Sequence, residues 1–216
     1  ENKMKQKLEI KKIKPIAVSS AILTPPPSKA HTLRSLILAA LCKGKSRISN
    51  ALLAEDQKHL ISCLENLGVV FTIEKNELGE NIVSVEGKGL PFQVKNPVLD
   101  CGESGVTMNF LASLSCFANQ TIKLTGKESL LNRPIDDLTK ALESLGIEIL
   151  FEKEKGYPPL QINPSAFSNT STSLSGKKTS QYFSSLSIAG ALNPQGLEIN
   201  CIDGLSEKPY LDITLE

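Results

Sequence analysis

No stretch of this 216-residue sequence approaches the ~20 consecutive apolar residues that a membrane-spanning helix needs, so no membrane partner is expected. A signal-peptide pattern is also missing from the sequence, which opens on Glu1. Charge of one sign is not in excess: 24 Lys and Arg stand against 23 Asp and Glu. That balance leaves no electrostatic footprint for nucleic acid. The basic run from Lys3 to Lys14 is short and interleaved with apolar residues, which reads as a solvated strand rather than a binding arm. There is no Cys-x-x-Cys pair, and the five cysteines are odd in number and widely spaced, which fits a reducing compartment and a cytoplasmic location. Cys42, Cys63 and Cys116 fall in helical apolar patterns and are expected to be buried small hydrophobes. His31 and His59 have no ligand-spaced partners, so no metal is expected.

What is present is a normal core complement, 40% hydrophobic residues, in a length that suits one or two domains. Its organisation is repetitive. A small-residue helix opener, a short strand, an acidic or proline-marked turn and a second helix follow one another three times. The first unit runs from Ser28-Lys29-Ala30 through Glu55-Asp56 to Leu64-Glu65-Asn66-Leu67-Gly68, and the second from Ser104-Gly105 through Arg133-Pro134-Ile135-Asp136 to Leu142-Glu143-Ser144-Leu145-Gly146. A third opens at Thr179-Ser180-Gln181 and passes Lys208-Pro209-Tyr210, with its second helix only begun at Glu216. The period is roughly 75 residues, longer than solenoid repeats, which points to duplication at the domain scale. An incomplete third unit leads to the expectation that the chain is a fragment.

Pro25-Pro26-Pro27 cannot continue a helix and leads into Ser28, a good N-cap, so a helix is predicted from Ser28 to Gly44. Leu33, Ile37, Ala40 and Leu41 form its apolar stripe. A strand over Ser46–Ser49 and a helix ending at Gly68 follow. Alternating residues predict hairpins over Val69–Glu74 with Asn81–Glu86, and over Gly146–Phe151 with Leu160–Asn163. Adding the strands Ile16–Ser20, Val98–Cys101 and Thr170–Ser173 makes each unit a βαβαββ module. The predicted class is α/β (α+β), an inside-out α/β barrel domain with pseudo-threefold symmetry, helices inside and mixed sheets outside. Residues 1–20 are expected to belong to or lead from another domain, and 21–216 to form one domain of three repeats (about 21–90, 98–163 and a truncated 170–216).

Helix N-termini carry unpaired N–H donors and partial positive charge. All three first helices open on hydroxyl or glycine residues: Ser28, Ser104-Gly105 and Thr179-Ser180. A pseudo-threefold axis would bring these tips together. Lys29, Arg34, Arg133 and Lys208 would then complete a pocket for a multiply anionic small molecule.

Ser28-Lys29 with Arg34, the Asp100–Met108 stretch, Leu124-Thr125-Gly126 before Arg133-Pro134-Ile135, Ser180-Gln181-Tyr182 and Lys208–Leu215 resemble, in order, the motifs of the 5-enolpyruvylshikimate-3-phosphate synthase family. The resemblance implies a two-domain, monomeric parent enzyme of about twice this length that needs no cofactor. It would transfer the enolpyruvyl group of phosphoenolpyruvate to the 5-hydroxyl of shikimate 3-phosphate, a step of aromatic amino acid biosynthesis. It implies that Lys29 and Gln181 act in catalysis, Lys29 and Arg133 hold phosphoenolpyruvate, and Gly105 admits backbone close to it. Arg34 would pair with the shikimate carboxylate, Thr179 and Ser180 would meet its phosphate, Gln181 would bridge both ligands and Tyr210 would line the shikimate pocket. Guanidinium forks suit carboxylate and phosphate, which agrees with that division.

The sequence departs from the family pattern at Ala30, where Ser is usual, at Glu103-Ser104-Gly105-Val106, where Asn-x-Gly-Thr is usual, at Asn109 in place of Arg, and at Glu207 in place of Ser. Glu103 is the weightiest, because a carboxylate ~5 Å from a substrate anion repels it by about 3 kcal/mol at an effective dielectric near 20. Two readings of Glu103 stay open: it turns away or pairs with Lys29, or the site serves a shifted substrate or none. A catalytically silent or substrate-shifted homologue acting as a binding module is the alternative function. A related transferase acting on UDP-N-acetylglucosamine shares the Arg-Pro-x-Asp turn. That enzyme typically carries Cys in a Gly-rich loop before the turn, where this chain has Lys127–Asn132 with neither.

Overall fold

The first helix shows how local sequence sets the frame. Ser28 accepts a hydrogen bond from His31 N through its Oγ, satisfying one free donor of α1 (Lys29–Leu41), which carries Leu33, Leu36, Ile37 and Ala40 to the core. A computed structural model describes residues 22–216 together with Lys12, Lys14, Pro15 and Ser20. The strand expected over Ile16–Ser20 lies almost wholly outside the described residues.

The helix ends earlier than predicted. Cys42 turns to extended backbone and β1 (Lys43–Ile48) begins at once, with Gly44 inside the strand rather than closing the helix. The reason is tertiary: β1 pairs antiparallel with β3 (Asn81–Lys88), Lys43 opposite Lys88 and Gly44 opposite Gly87. Gly87 makes this possible, since a Cβ there would collide with carbonyl oxygens of Ala39, Ala40 and Cys42. Cys42 is exposed as a result, against the sequence expectation, whereas Cys63 and Cys116 are buried as expected, and so is Cys101.

The acidic start of α2 (Glu55–Asn66) complements the positive end of its dipole. Gly68 follows at φ +101° and β2 (Val70–Lys75) returns against β3, giving a sheet of order β1-β3-β2. The second unit repeats this. It contains β4 (Val98–Asp100), α3 (Gly105–Leu114), β5 (Ile122–Thr125), the short α4 (Glu128–Leu131), α5 (Asp136–Ser144), β6 (Glu148–Phe151) and β7 (Leu160–Asn163). Its sheet order is β4-β5-β7-β6, so β5-β7-β6 matches β1-β3-β2, and Gly146 at φ +92° stands where Gly68 does. The third unit has β8 (Ser171–Leu174), α6 (Gln181–Leu192), β9 (Glu198–Cys201) and α7 (Lys208–Leu215). In both β4-α3-β5 and β8-α6-β9 a helix joins two parallel strands.

Burial separates the two helix types. Most of α3 and α6 is buried, including polar Thr107, Ser113, Ser184 and Ser185, while α7 buries none of its residues. The three sheets lie outside the first helices, and α3 packs directly on α6. Small side chains permit that approach: Ala112 and Ser113 on α3, Ser184, Ser185 and Ala189 on α6.

Candidate functional site

The starts of α1, α3 and α6 border one groove of two lobes. The larger, about 540 Å³, is walled by Lys29, Glu103, Gly105, Arg133, Lys178 and Gln181 among others. The smaller, about 330 Å³, is walled by Ser28, Lys29, Arg34, Gln181, Glu207 and Tyr210 among others. Lys29, Val106 and Gln181 face both lobes. Seven of the eight candidate site residues therefore line the groove: Lys29, Arg34, Gly105, Arg133, Thr179, Gln181 and Tyr210. Ser180 does not, being fully buried with its Oγ lacking a partner among the described residues.

Lys29, the first residue of α1, reaches across to α2. Its Nζ lies 2.6 Å from Asp56 Oδ2, and Ser104 Oγ at the cap of α3 donates to the other oxygen of the same carboxylate. One carboxylate thus joins three helix starts. Burial opposes ionisation of Asp56, but the Lys29 ammonium and the Ser104 hydroxyl outweigh it and hold the carboxyl below its usual range. Sequence reading missed this residue. It took Glu55-Asp56 only as the acidic turn before a helix, because nothing local signals a partner on another helix.

Arg34 is 5% exposed, with its guanidinium 5.4 Å from the centroid of the Phe110 ring. Nε donates to Thr214 Oγ1 at 2.7 Å, Nη1 to Ala30 O at 3.1 Å, and Nη2 to Tyr210 O at 2.6 Å and Ser184 Oγ at 3.2 Å. Burial lowers its pKa from the ordinary guanidinium value. These bonds clasp α7 to α1 and α6, and they occupy most of the five donors an arginine has.

The loop before α3 is shaped by Asp100 Oδ1, which accepts from Gly102 N at 2.9 Å, and by the His59 ring, against which a Cβ at Gly102 would collide. This aims Glu103 and Gly105 into the larger lobe. Glu103 is exposed and accepts from Ser129 Oγ at 3.1 Å, so it turns from Lys29, which pairs with Asp56 instead. A Cβ on Gly105 would stand 3.5 Å from Arg133 Nη1, so glycine keeps open the space in front of that guanidinium.

Arg133 sits in the turn between α4 and α5 and has no carboxylate within 4.0 Å among the described residues, the ion-pair limit. Lys178, a groove residue the sequence reading did not single out, is bound instead by Asp136 and Asp137, each at 2.9 Å. Those two carboxylates, Asp137 foremost, raise its pKa. Arg133 is thus an uncompensated cation in a lobe whose two lysines are already paired. Thr179 Oγ1 donates to Glu207 Oε2 at 3.3 Å and accepts from Gln181 N at 3.2 Å. Glu207 takes φ +56°, which tilts its carboxylate to this contact.

Among the described residues no helix is long and apolar enough to cross a membrane, and no cluster of three metal-ligating side chains occurs.

Residues 13–216 match the family model described as EPSP synthase (3-phosphoshikimate 1-carboxyvinyltransferase). The chain is 36% identical over 191 residues to the 3-phosphoshikimate 1-carboxyvinyltransferase of Vibrio campbellii, covering 88% of this chain and 44% of the relative. It is 34% identical over 205 residues to that of Erwinia tasmaniensis, covering 94% and 47%. The chain spans about half the length of these curated relatives. Its backbone superposes on the EPSP synthase of Acinetobacter baumannii with a TM-score of 0.75 at 23% identity, over 88% of this chain and 42% of that one, which shows a shared fold. With the family model matching nearly from end to end, this chain belongs to the EPSP synthase family.

Proposed function

We propose that this chain contributes one half of the substrate site of an enzyme that transfers the enolpyruvyl group of phosphoenolpyruvate to the 5-hydroxyl of shikimate 3-phosphate. Residues 21–216 are one domain of three repeats, the third truncated, in a cytoplasmic, monomeric parent. The observation that carries the reading is the pairing pattern of the cations: Arg133, beside Gly105, has no carboxylate partner among the described residues, in a groove that three helix starts border. Phosphoenolpyruvate takes the larger lobe, held by Arg133 and by Lys29, with Gly105 admitting it closely. Shikimate 3-phosphate lies in the smaller lobe against Arg34 and Tyr210 and extends its phosphate into the larger one, toward Thr179 on the wall and Ser180 beneath it. Gln181 faces both lobes and reaches both ligands.

In the reaction the 5-hydroxyl oxygen gives up its proton to a base and bonds to C2 of phosphoenolpyruvate as C3 takes a proton from an acid. Loss of a proton from C3, with the C2–O bond to phosphate breaking, then restores the double bond. Lys29 and Gln181 stabilise the anionic groups through this sequence. The proton transfers need general acids and bases, which this reading assigns to the half of the enzyme outside the part this chain spans, so the chain alone binds weakly and does not turn over. Calorimetric titration with each substrate, alone and together, tests the reading. Binding of shikimate 3-phosphate that improves phosphoenolpyruvate binding supports it, and phosphate release by this chain alone contradicts its division of labour.

One observation favours a second reading, a catalytically silent or substrate-shifted homologue serving as a binding module. Glu207 holds the Thr179 hydroxyl that the phosphate requires, and Glu103 adds a second carboxylate to the groove. Titration with unphosphorylated shikimate separates the two: tighter binding than the 3-phosphate selects the second reading.

A further inference from the structure

Asn109 is a groove residue whose role the reaction leaves unassigned. Its Nδ2 donates to Gln181 Oε1 at 2.8 Å across the contact between α3 and α6. We propose that Asn109 is a positioning residue that keeps the Gln181 amide turned with its N–H bonds into the groove, as donors to the anionic groups of a bound ligand. This rests on the reading of the groove given above.

The geometry behind the proposal is rigid. One turn further along both helices, Ser185 Oγ donates to Asn109 O at 2.7 Å and lies 2.6 Å from Ser113 Oγ. Ser113 and Ser185 are almost fully buried, so this hydroxyl ladder fixes the register of α3 on α6 where no water competes. Gln181 is held at its own backbone too, through Thr179 Oγ1. With Oε1 engaged, Nε2 keeps two N–H donors that have no protein partner among the described residues, in a side chain that faces both lobes. Reversing the amide would aim a carbonyl oxygen at the space an anion must fill, so a bound anion and the Asn109 bond select the same polarity. A neutral donor at the junction can serve anionic groups from either lobe without adding charge.

Asp at this position has nearly the same shape as Asn but only accepts, so N109D compels Gln181 to turn its N–H bonds inward and present oxygen to the groove. N109A removes the bond and leaves the amide free to rotate. Two measurements on the full chain test this: titration of wild type, N109A and N109D with shikimate 3-phosphate and with phosphoenolpyruvate, and the side-chain amide resonances of Gln181 in nitrogen-15 spectra without ligand. Affinity is expected to fall roughly threefold in N109A and about tenfold or more in N109D. The Gln181 amide protons are expected to move downfield in N109D alone, as they bond to the carboxylate. A purely structural role would make the truncation at least as harmful as the isosteric change. Unmoved Gln181 resonances in N109D overturn the proposal, and they do so even if affinity falls, because the added charge alone weakens anion binding. If wild type binds neither ligand, the reading of the groove fails while the resonances still decide the role of Asn109.

Discussion

Lys29 Nζ and Asp56 Oδ2 stand 2.6 Å apart, so the cation at the tip of α1 is neutralised by the first turn of α2 before any ligand arrives. Asn at position 56 would still accept from Ser104 but would release the full charge of Lys29. D56N is expected to tighten phosphoenolpyruvate binding about fivefold, the equivalent of the ~1 kcal/mol that a unit charge is worth at 4 Å in a water-filled cleft. K29A should weaken it. If D56N weakens binding as K29A does, Asp56 acts by placing Lys29 rather than by masking it.

Glu103 contributes repulsion without offsetting it, since among the described residues its carboxylate binds only the Ser129 hydroxyl, at 3.1 Å. E103N is expected to strengthen phosphoenolpyruvate binding several-fold, less than a fully desolvated carboxylate would imply, because Glu103 is exposed and turned aside. A titration that shows no gain would remove electrostatics as the reason for weak binding.

Arg34 serves the fold as well as the site. R34A would remove the guanidinium donors to Thr214, Tyr210 O and Ser184 and loosen α7, at a cost of about 2–4 kcal/mol in denaturant unfolding. R34K keeps the charge but not the fork, and should recover less than half of the loss. Limited proteolysis should cut α7 first in both variants.

Acid stability should depend on Asp136. Lys140 foremost, and Lys178, hold its carboxyl at about 2, below the usual 3.8, against a burial effect that raises it. A depressed folded-state pKa contributes stability that is complete above the unfolded value and is lost as pH falls through the folded one. Solvent screens these ion pairs, so wild type should exceed D136N by no more than about 1 kcal/mol at neutral pH, and the gap should close between about pH 4 and pH 2. Urea midpoints across that range measure it, and a gap that persists at the acid end would refute the assignment.

Gly68 and Gly146 close the second helices of their units at φ +101° and +92°. A Cβ would strike Gln93 O at the first and Ser168 Oγ at the second. G68A and G146A are each expected to cost about 2 kcal/mol or more in thermal or urea unfolding. A cost under half of that at Gly68, where the obstacle is backbone, would contradict the close approach.

The repeat was legible because it is written in local chemistry: Ser28 and Ser104 as caps, Leu67-Gly68 and Leu145-Gly146 as helix ends, alternation in the two hairpins. Most of the residues expected at the three helix starts reach one groove, with Ser104 and Ser180 lying beneath its surface. Where local signals and pairing conflicted, pairing prevailed. Gly44 reads as a helix end, but it lies opposite Gly87 in a strand ladder, and six residues of hydrogen-bonded β1 outweigh one favourable cap.

By itself, then, the sequence determined the order of elements, the apolar faces and the family, since each depends on spacing within one helix or strand. Only the tertiary structure decided which charges stay available: it gave Lys29 to Asp56, Lys178 to Asp136 and Asp137, and the donors of Arg34 to α1, α6 and α7, and it left Arg133 without a carboxylate among the described residues. The reason is range. Capping and periodicity act over three or four residues, whereas an ion pair forms between whichever side chains the packed helices bring within a few ångströms, however distant they are along the chain.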